Sequence, residues 1–469
     1  MLKKILNKFT GDSLISAATW YTVGTFLLKG INFFTMPLYT KLLGLDTADY
    51  GITGIYSTYL GIISIFIGLG INGTLGTARA NLPRDEYDGY ISSTLFLSTL
   101  SFFGVFLLTI FFRNPISKFT ELAVPLIILM VIQAFFDFVG GFNSSRLVFE
   151  KDYKKYLLIS AISTLLNIGV SIVIILSLNN EKYLGRIYAG VIASVLIGIV
   201  VYINMMRKGK VFISLKHWKF CLPIALPLIV HNLSHMILTQ SDRVMLQKYT
   251  TDSIVGLYNM SYNIGMIVNI ILMSINSAWV AWYFDAQRDK LDKEIKEKAK
   301  IYIIVFTIFT GLFTLASPEM MKFLASKVFW PGIGIIPMVV LAYYFVFLYT
   351  FGVNYEFYRK KSTLISTGTM LAAIVNIVIN FLLIPKIGGL GAAIATTISY
   401  ALLFVFHEII VRLVLKRKDF PFVYYIYALA AILVVMIFHY VFIDMMLVRW
   451  ALIIIIIAGV LVNLKKVIK

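Results

Sequence analysis

The stretch YLLISAISTLLNIGVSIVIILSL (156–178) runs for 23 residues without a charge. Wound as an α-helix it reaches roughly 35 Å, enough to cross a hydrocarbon core about 30 Å thick. Runs of this length recur along all 469 residues, of which 59% are hydrophobic and 14% charged. A soluble domain carries roughly a quarter charged residues. Mean hydropathy is +0.86. A membrane barrel would instead show alternating segments of about ten residues. The expected fold class is therefore all-α, a polytopic membrane protein.

The spans read as 14–40, 51–72, 90–112, 122–146, 156–178, 187–206, 221–246, 255–282, 301–325, 334–358, 363–385, 389–413, 424–443 and 445–464, fourteen in all. The N-terminus, MLKKILNKFTGDS, is basic, and its apolar part is too short for a cleaved signal. The first span is expected to act as the anchor. With the N-terminus inside, alternate loops collect the basic residues. They hold Lys3, Lys4 and Lys8, then Arg79 and Arg84, then Arg146 through Lys155, Arg207 through Lys219, the hydrophilic run FDAQRDKLDKEIKEKAK (284–300), RKK (359–361) and KRK (416–418). The intervening loops carry one or two each, Lys182 and Arg186 among them. That bias puts both termini on the cytoplasmic side and requires an even number of spans. It also accounts for the net charge of +19 as topology and attraction to anionic headgroups, so no nucleic-acid partner is implied.

The chain repeats itself. YGITGIYSTYLG (50–61) and VGLYNMSYNIG (255–265) place Gly51 and Gly256 205 residues apart. The LIS triplets at 158–160 and 364–366, and the Leu-Gly pairs at 184–185 and 390–391, are each offset by 206. Three matches in one order predict two parallel six-helix copies, 1–208 and 209–418, with 419–469 as a two-helix addition. Two six-helix bundles related in this way suggest a transporter, with its substrate site at the repeat interface and access that alternates by rocking one bundle against the other.

Polar groups inside the spans mark the candidate route, because charge in hydrocarbon is costly and faces a bundle interior or water. Lys29 lies mid-span in TFLLKGINFF, followed by Asn32, and maps by the offset to Ser234 beside His235. The seventh span contains HNLSHMILTQSDRVML (231–246), with His231, Asn232, His235, Gln240, Asp242 and Arg243. Asp137 lies in QAFFDFVGG, Arg146 beyond it, and Asn354, Glu356 and Arg359 near an inner end. Each has a plainer reading. Lys29 can snorkel, Asp242 and Arg243 can tie helices together, and Arg146, Glu356 and Arg359 can anchor at headgroups. Asp242 and Arg243, being adjacent, are expected to point apart. His231 and His235 share a face but lack a third ligand, so no metal is expected. Glu294 and Lys298 are spaced for a helical ion pair. GGLGAAIATT (388–397) suits close helix packing. Cys221 is the single cysteine, which excludes a disulfide framework. Neither a P-loop nor a GxSxG elbow occurs, so neither a catalytic centre nor a cofactor is expected.

MPLYTKLLGLDTADYGITGIYS (36–57), its second copy SDRVMLQKYTTDSIVGLYNMSY (241–262), and VNIVINFLLIPKIGGLGAAIATTISY (375–400) resemble bacterial polysaccharide flippases of the multidrug/oligosaccharidyl-lipid/polysaccharide exporter superfamily. The resemblance covers nearly the whole chain. It implies two pseudo-symmetric six-helix lobes around a central cavity, with additional C-terminal helices, and a flippase in the bacterial plasma membrane. The implied substrate is an oligosaccharide repeat unit on undecaprenyl pyrophosphate, carried to the outer leaflet for capsule or O-antigen assembly, with a polysaccharide polymerase as partner. A pyrophosphate would be met by Lys29, Arg79, Arg146 and Arg243, and the sugar by Asn32, Asn232, Gln240 and Asn354. A lipid II flippase and a drug exporter of the same superfamily are the alternatives, with a non-transporting scaffold behind them. Carboxylates would dominate a cation exporter's cavity, whereas cationic candidates are at least as prominent here.

Reporter fusions test the topology. A fusion at Thr251 is expected to report the outside and one at Gln287 the inside. The same side for both would overturn the span count.

Overall fold

The computed structural model of the chain describes Gly24, Gly30, Ile31 and residues 34–417 and 421–468. Lys29 and Asn32 lie outside the described residues. Among the described residues there is no strand. Eleven helices of the described residues are long and apolar enough to cross a membrane: α1 (Thr47–Gly68), α2 (Arg84–Phe111), α3 (Val124–Glu150), α4 (Tyr153–Ser177), α5 (Tyr183–Gly209), α6 (Leu215–Tyr249), α7 (Asp252–Arg288), α8 (Asp292–Leu324), α9 (Lys327–Tyr358), α10 (Ser362–Val414) and α11 (Val423–Val441). A further helix, α12 (Met446–Ile468), has the shorter apolar part Met446–Val462.

α10 is two of the expected spans joined by a break. Ile387 leaves helical geometry at φ −134°, ψ 17°, and Gly388 takes φ 54°, ψ −132°, a conformation that glycine adopts and side chains resist. A Cβ on Gly391 would lie 2.7 Å from the carbonyl oxygen of Leu383. In a straight helix these residues would stand about 12 Å apart, so the chain doubles back there. With α10 counted as two and α12 added, the described residues supply the second to the fourteenth expected spans. Most of the first span, 14–40, lies outside them.

Local chemistry sets the helix ends. Before α1, the Asp49 amide donates to Asp46 Oδ1 at 2.9 Å and the Asp46 amide to Asp49 Oδ2 at 3.3 Å, a reciprocal cap that satisfies two orphan donors. Asp152 caps α4, accepting from the Lys155 amide at 3.1 Å and its ammonium at 2.7 Å. That ammonium holds the Asp152 carboxyl below the usual range.

The chain divides into two compact units, 1–45 with 52–236, and 46–51 with 237–469. The core of the first gathers Ile67, Leu75, Tyr90, Leu95, Phe138 and Met205. Thr74, from a 3-10 turn, meets the Tyr90 hydroxyl at 2.6 Å and Cys221 at 3.7 Å. In the second unit, aromatic rings of α8 and α9 pack together, with Phe306 and Phe347 centroids 4.2 Å apart and Tyr302 and Phe347 at 5.0 Å. Arg449 of α12, fully buried, fastens that helix to α8. It donates to both Glu319 oxygens at 2.8 and 2.6 Å and to the Leu315 carbonyl at 2.6 Å. A bidentate pair of this kind is geometrically selective.

In the second unit a close helix approach joins Gly51 and Gly256. A Cβ on Gly51 would stand 2.0 Å from the Asp252 carbonyl oxygen, and one on Gly256 would stand 1.8 Å from that of Thr47. Small residues at membrane helix contacts permit such approach. Gly51→Val and Gly256→Val are expected to lower the thermal unfolding temperature of the purified protein, with an overpacking cost of about 1–3 kcal/mol. Gly104→Val and Gly169→Val, where no described residue lies within 4 Å of an added Cβ, are expected to leave it unchanged. Equal tolerance at all four positions would refute the close crossing.

Candidate substrate site

A cavity of about 390 Å³ opens in the first unit, lined by Ser64, Asn72, Asp137, Gly141, Leu228 and Asn232 among others. The break after α1 shapes it. Leu69 and Gly70 take φ 49° and 72°, and a Cβ on Gly70 would meet the Ala225 carbonyl oxygen at 2.5 Å. Only glycine lets the chain leave α1 against α6 in this way. The turn Ile71–Thr74 then presents Asn72, whose Oδ1 is buried and has no hydrogen-bond partner among the described residues.

Asp137 stands on α3 at this cavity within a relay of side chains. Ser194 of α5 donates to its Oδ1 at 2.5 Å and Gln133 to its Oδ2 at 3.3 Å. The Tyr56 hydroxyl of α1 donates to Gln133 Oε1 at 2.9 Å. The relay leads to a second cavity of about 160 Å³, lined by Tyr56, Ser57, Gln133, Asn167 and Arg186. The Arg186 guanidinium lies 4.7 Å from the Tyr39 ring centre. Two adjoining hollows thus present a carboxylate, a guanidinium, amides and hydroxyls, a donor and acceptor set suited to a polyhydroxylated group.

The structure brings Asp137 and Asn232 to one cavity. His231 and His235 lie exposed on the same helix as Asn232. Arg79 is exposed on the short helix Leu75–Asn81, 5.0 Å from the Tyr87 ring centre. Arg146 is buried and engaged with Glu150 at 2.8 Å. In the second unit, Asn354 donates to Asn276 at 3.1 Å, Arg359 to the Tyr355 hydroxyl at 3.0 Å, and Gln240 is half-buried. Glu356 is fully buried, with Oε1 2.9 Å from His407 Nδ1. Lys298 stands 3.9 Å from Glu294.

One expectation is corrected. Asp242 and Arg243, expected to point apart, pair with each other at 3.0 Å. The guanidinium folds back along α6, donating to Thr239 O at 3.0 Å and Asn259 Oδ1 at 2.7 Å. Its centre lies 4.4 Å from the Tyr262 ring, and the Tyr258 hydroxyl donates to the carboxylate. A long side chain reaches its neighbour where a separation along the helix axis cannot forbid it.

Sequence reading did not single out Tyr56, Asn72, Gln133, Asn167, Arg186 or Ser194. Arg186 passed as a loop charge because it sits at the first turn of α5. The neutral residues are common in spans, and only their convergence distinguishes them.

The helices define a polytopic helical membrane protein whose fold is similar to those of a lipid II flippase and a multidrug exporter. The structure of "Lipid II flippase MurJ, inward closed conformation" is similar over 96% of this chain and 99% of that one, with a TM-score of 0.76 and 16% identity. An inward-facing multidrug resistance MATE family transporter is similar over 83% and 96%, at TM-score 0.64 and 14% identity. An uncharacterized membrane protein of Haemophilus influenzae is 25% identical over 397 residues, 83% of this chain and 92% of that protein. Residues 14–287 match the Polysaccharide biosynthesis protein family, and the chain belongs to that family.

The buried pair on α6 can be tested apart from transport. Removing one partner leaves an uncompensated charge and costs about 3–5 kcal/mol, whereas removing both costs less. Arg243→Met is therefore expected to lower the unfolding temperature more than Asp242→Asn combined with Arg243→Met. Single and double variants of equal stability would show that the pair contributes nothing to the fold.

Proposed function

We propose that this chain is a flippase for undecaprenyl-pyrophosphate-linked oligosaccharide repeat units. It turns them from the cytoplasmic to the outer leaflet of the bacterial plasma membrane by alternating access, with both chain termini cytoplasmic. The single observation that carries this reading is the polar cavity of Asn72, Asp137 and Asn232 set among apolar membrane-spanning helices. Hydrocarbon-bound segments exclude such groups unless water or a polar cargo meets them. Amides and a carboxylate suit sugar hydroxyls. Lys29 and Arg186 would meet the pyrophosphate, Asn32 would meet the sugar, and the lipid tail can remain in the bilayer. Arg79, His231 and His235 are secondary candidates for headgroup contact. Arg146, Asp242, Arg243 and Glu356 hold protein partners, and substrate contact by them would require exchange of those partners.

The same reading keeps 1–208 and 209–418 as duplicated six-helix lobes and 419–469 as an addition. The reciprocal approach of Gly51 and Gly256 supports it. Thr47 precedes Gly51, and Asp252 precedes Gly256, by four residues each, as in a self-complementary contact between equivalent segments. A lipid II flippase is the second reading, favoured by the fold likeness to that protein. Purified protein in vesicles, offered either lipid-linked oligosaccharide or lipid II, separates the two.

Complementation of a flippase-null strain, with membrane level checked, tests the residues. Lys29→Ala is expected to insert normally and abolish surface polysaccharide, with Lys29→Arg retaining part of it. Asp137→Ala and Arg186→Gln each remove a charge-assisted contact of about 1.5–3 kcal/mol and are expected to cut export on the order of tenfold or more. Full display by all three loss variants would end this assignment.

A further inference from the structure

α8 carries two grooves that the transport reading does not use. The first, about 430 Å³, runs between α7 and α8 past Trp279, Trp282, Tyr302 and Val305, with Lys298 at one end. The second, about 440 Å³, runs between α8 and α11 past Ile304, Tyr424, Tyr427 and Ala431, with Lys300 at one end. Lys298 and Lys300 are two apart, so they leave α8 on different sides. The two grooves therefore flank one helix and begin at one depth.

That depth is the membrane surface. Both lysines stand in the charged run DKLDKEIKEKAK (289–300), and every position from 301 to 318 is uncharged. The lysine ammonium groups lie 4.2 Å from the Trp282 ring centre and 5.8 Å from that of Tyr424, aromatic company typical of headgroup level. From Lys298 to Phe309, the far lining residue on α8, the helix advances roughly 16 Å, which is half of the ~30 Å hydrocarbon thickness. Beyond the lysine the walls are almost wholly apolar and substantially open, with Ile301 60% and Tyr427 70% exposed. Glu294, the exposed acid 3.9 Å from Lys298, lies on the water side.

We propose that these grooves are binding sites for the acyl chains of anionic phospholipid in the leaflet next to the 289–300 run. The phosphate would lie on Lys298 or Lys300 and one chain along each groove. A zwitterionic lipid would fill the same hollow but bring its own cation to the lysine. The preference for anionic headgroups therefore comes from the lysine, and the site from the groove. The proposal concerns resident lipid and stands whether or not the transport reading does.

Native mass spectrometry of the full-length protein, titrated with phosphatidylglycerol or phosphatidylcholine, provides the first measurement. Wild type is expected to retain phosphatidylglycerol preferentially. Lys298→Gln and Lys300→Gln should each reduce that preference about fivefold, the effect of one basic residue at an anionic surface. Lys296→Gln, in the same run but outside both grooves, should change it little. The second measurement is quenching of tryptophan fluorescence by brominated-chain phosphatidylglycerol in vesicles. Ala278→Phe, which fills the first groove, should reduce quenching of Trp279 and Trp282 while leaving Lys298 in place. Equal retention of both lipids overturns the proposal, as does a loss with Lys296→Gln equal to that with Lys298→Gln. Quenching that depends on protein-to-lipid ratio rather than lipid type would assign the grooves to a second copy of the chain and likewise overturn it.

Discussion

The hydrocarbon core of a bilayer offers no hydrogen bonds, and everything in this molecule answers to that. Backbone groups must be satisfied within each segment, so the described residues that cross are helical. Where the helix fails, protein supplies the cover. The turn after α1 is set against the Ala225 carbonyl, whereas the break at Gly388 falls between two spans, beside the exposed Ile387. Irregular backbone at membrane depth is tolerated where it is buried in protein or lines a cavity.

The same constraint governs side chains. Arg449 reaches Glu319, Arg243 reaches Asp242 and Asn259, and Glu356 reaches His407. Each pair joins charge or polarity to a partner so that neither stands alone in a medium that cannot solvate it. Asp137 differs. Its neighbours are neutral donors, Ser194 and Gln133, and it stands at a cavity. That contrast distinguishes a group that holds helices together from one available to a cargo.

Much of the fold was legible in the chain. Apolar length marks a span regardless of what surrounds it, so runs such as 156–178 and 363–385 needed no tertiary information. The separation of spans 363–385 and 389–413 likewise follows from apolar length, whereas GGLGAAIATT (388–397) reads only as a packing surface; the reversal at Gly388 is what the structure adds. Of the candidate site, Asp137 and Asn232 stood out because polar residues are conspicuous in apolar runs. Arg186 did not, since a basic residue near a span end looks like every other topology signal.

What the sequence by itself determined is the membrane class and the positions of the spans that fall within the described residues, because these rest on hydrophobic length and local backbone chemistry. Tertiary structure alone decided the partners. Tyr56, Gln133, Asp137 and Ser194 come from three helices and as many as 138 positions apart, and Glu319 meets Arg449 across 130. Side-chain reach also overruled helical direction at Asp242 and Arg243. Burial makes a polar group seek a partner, but which partner it finds depends on helix packing, and no local rule encodes that.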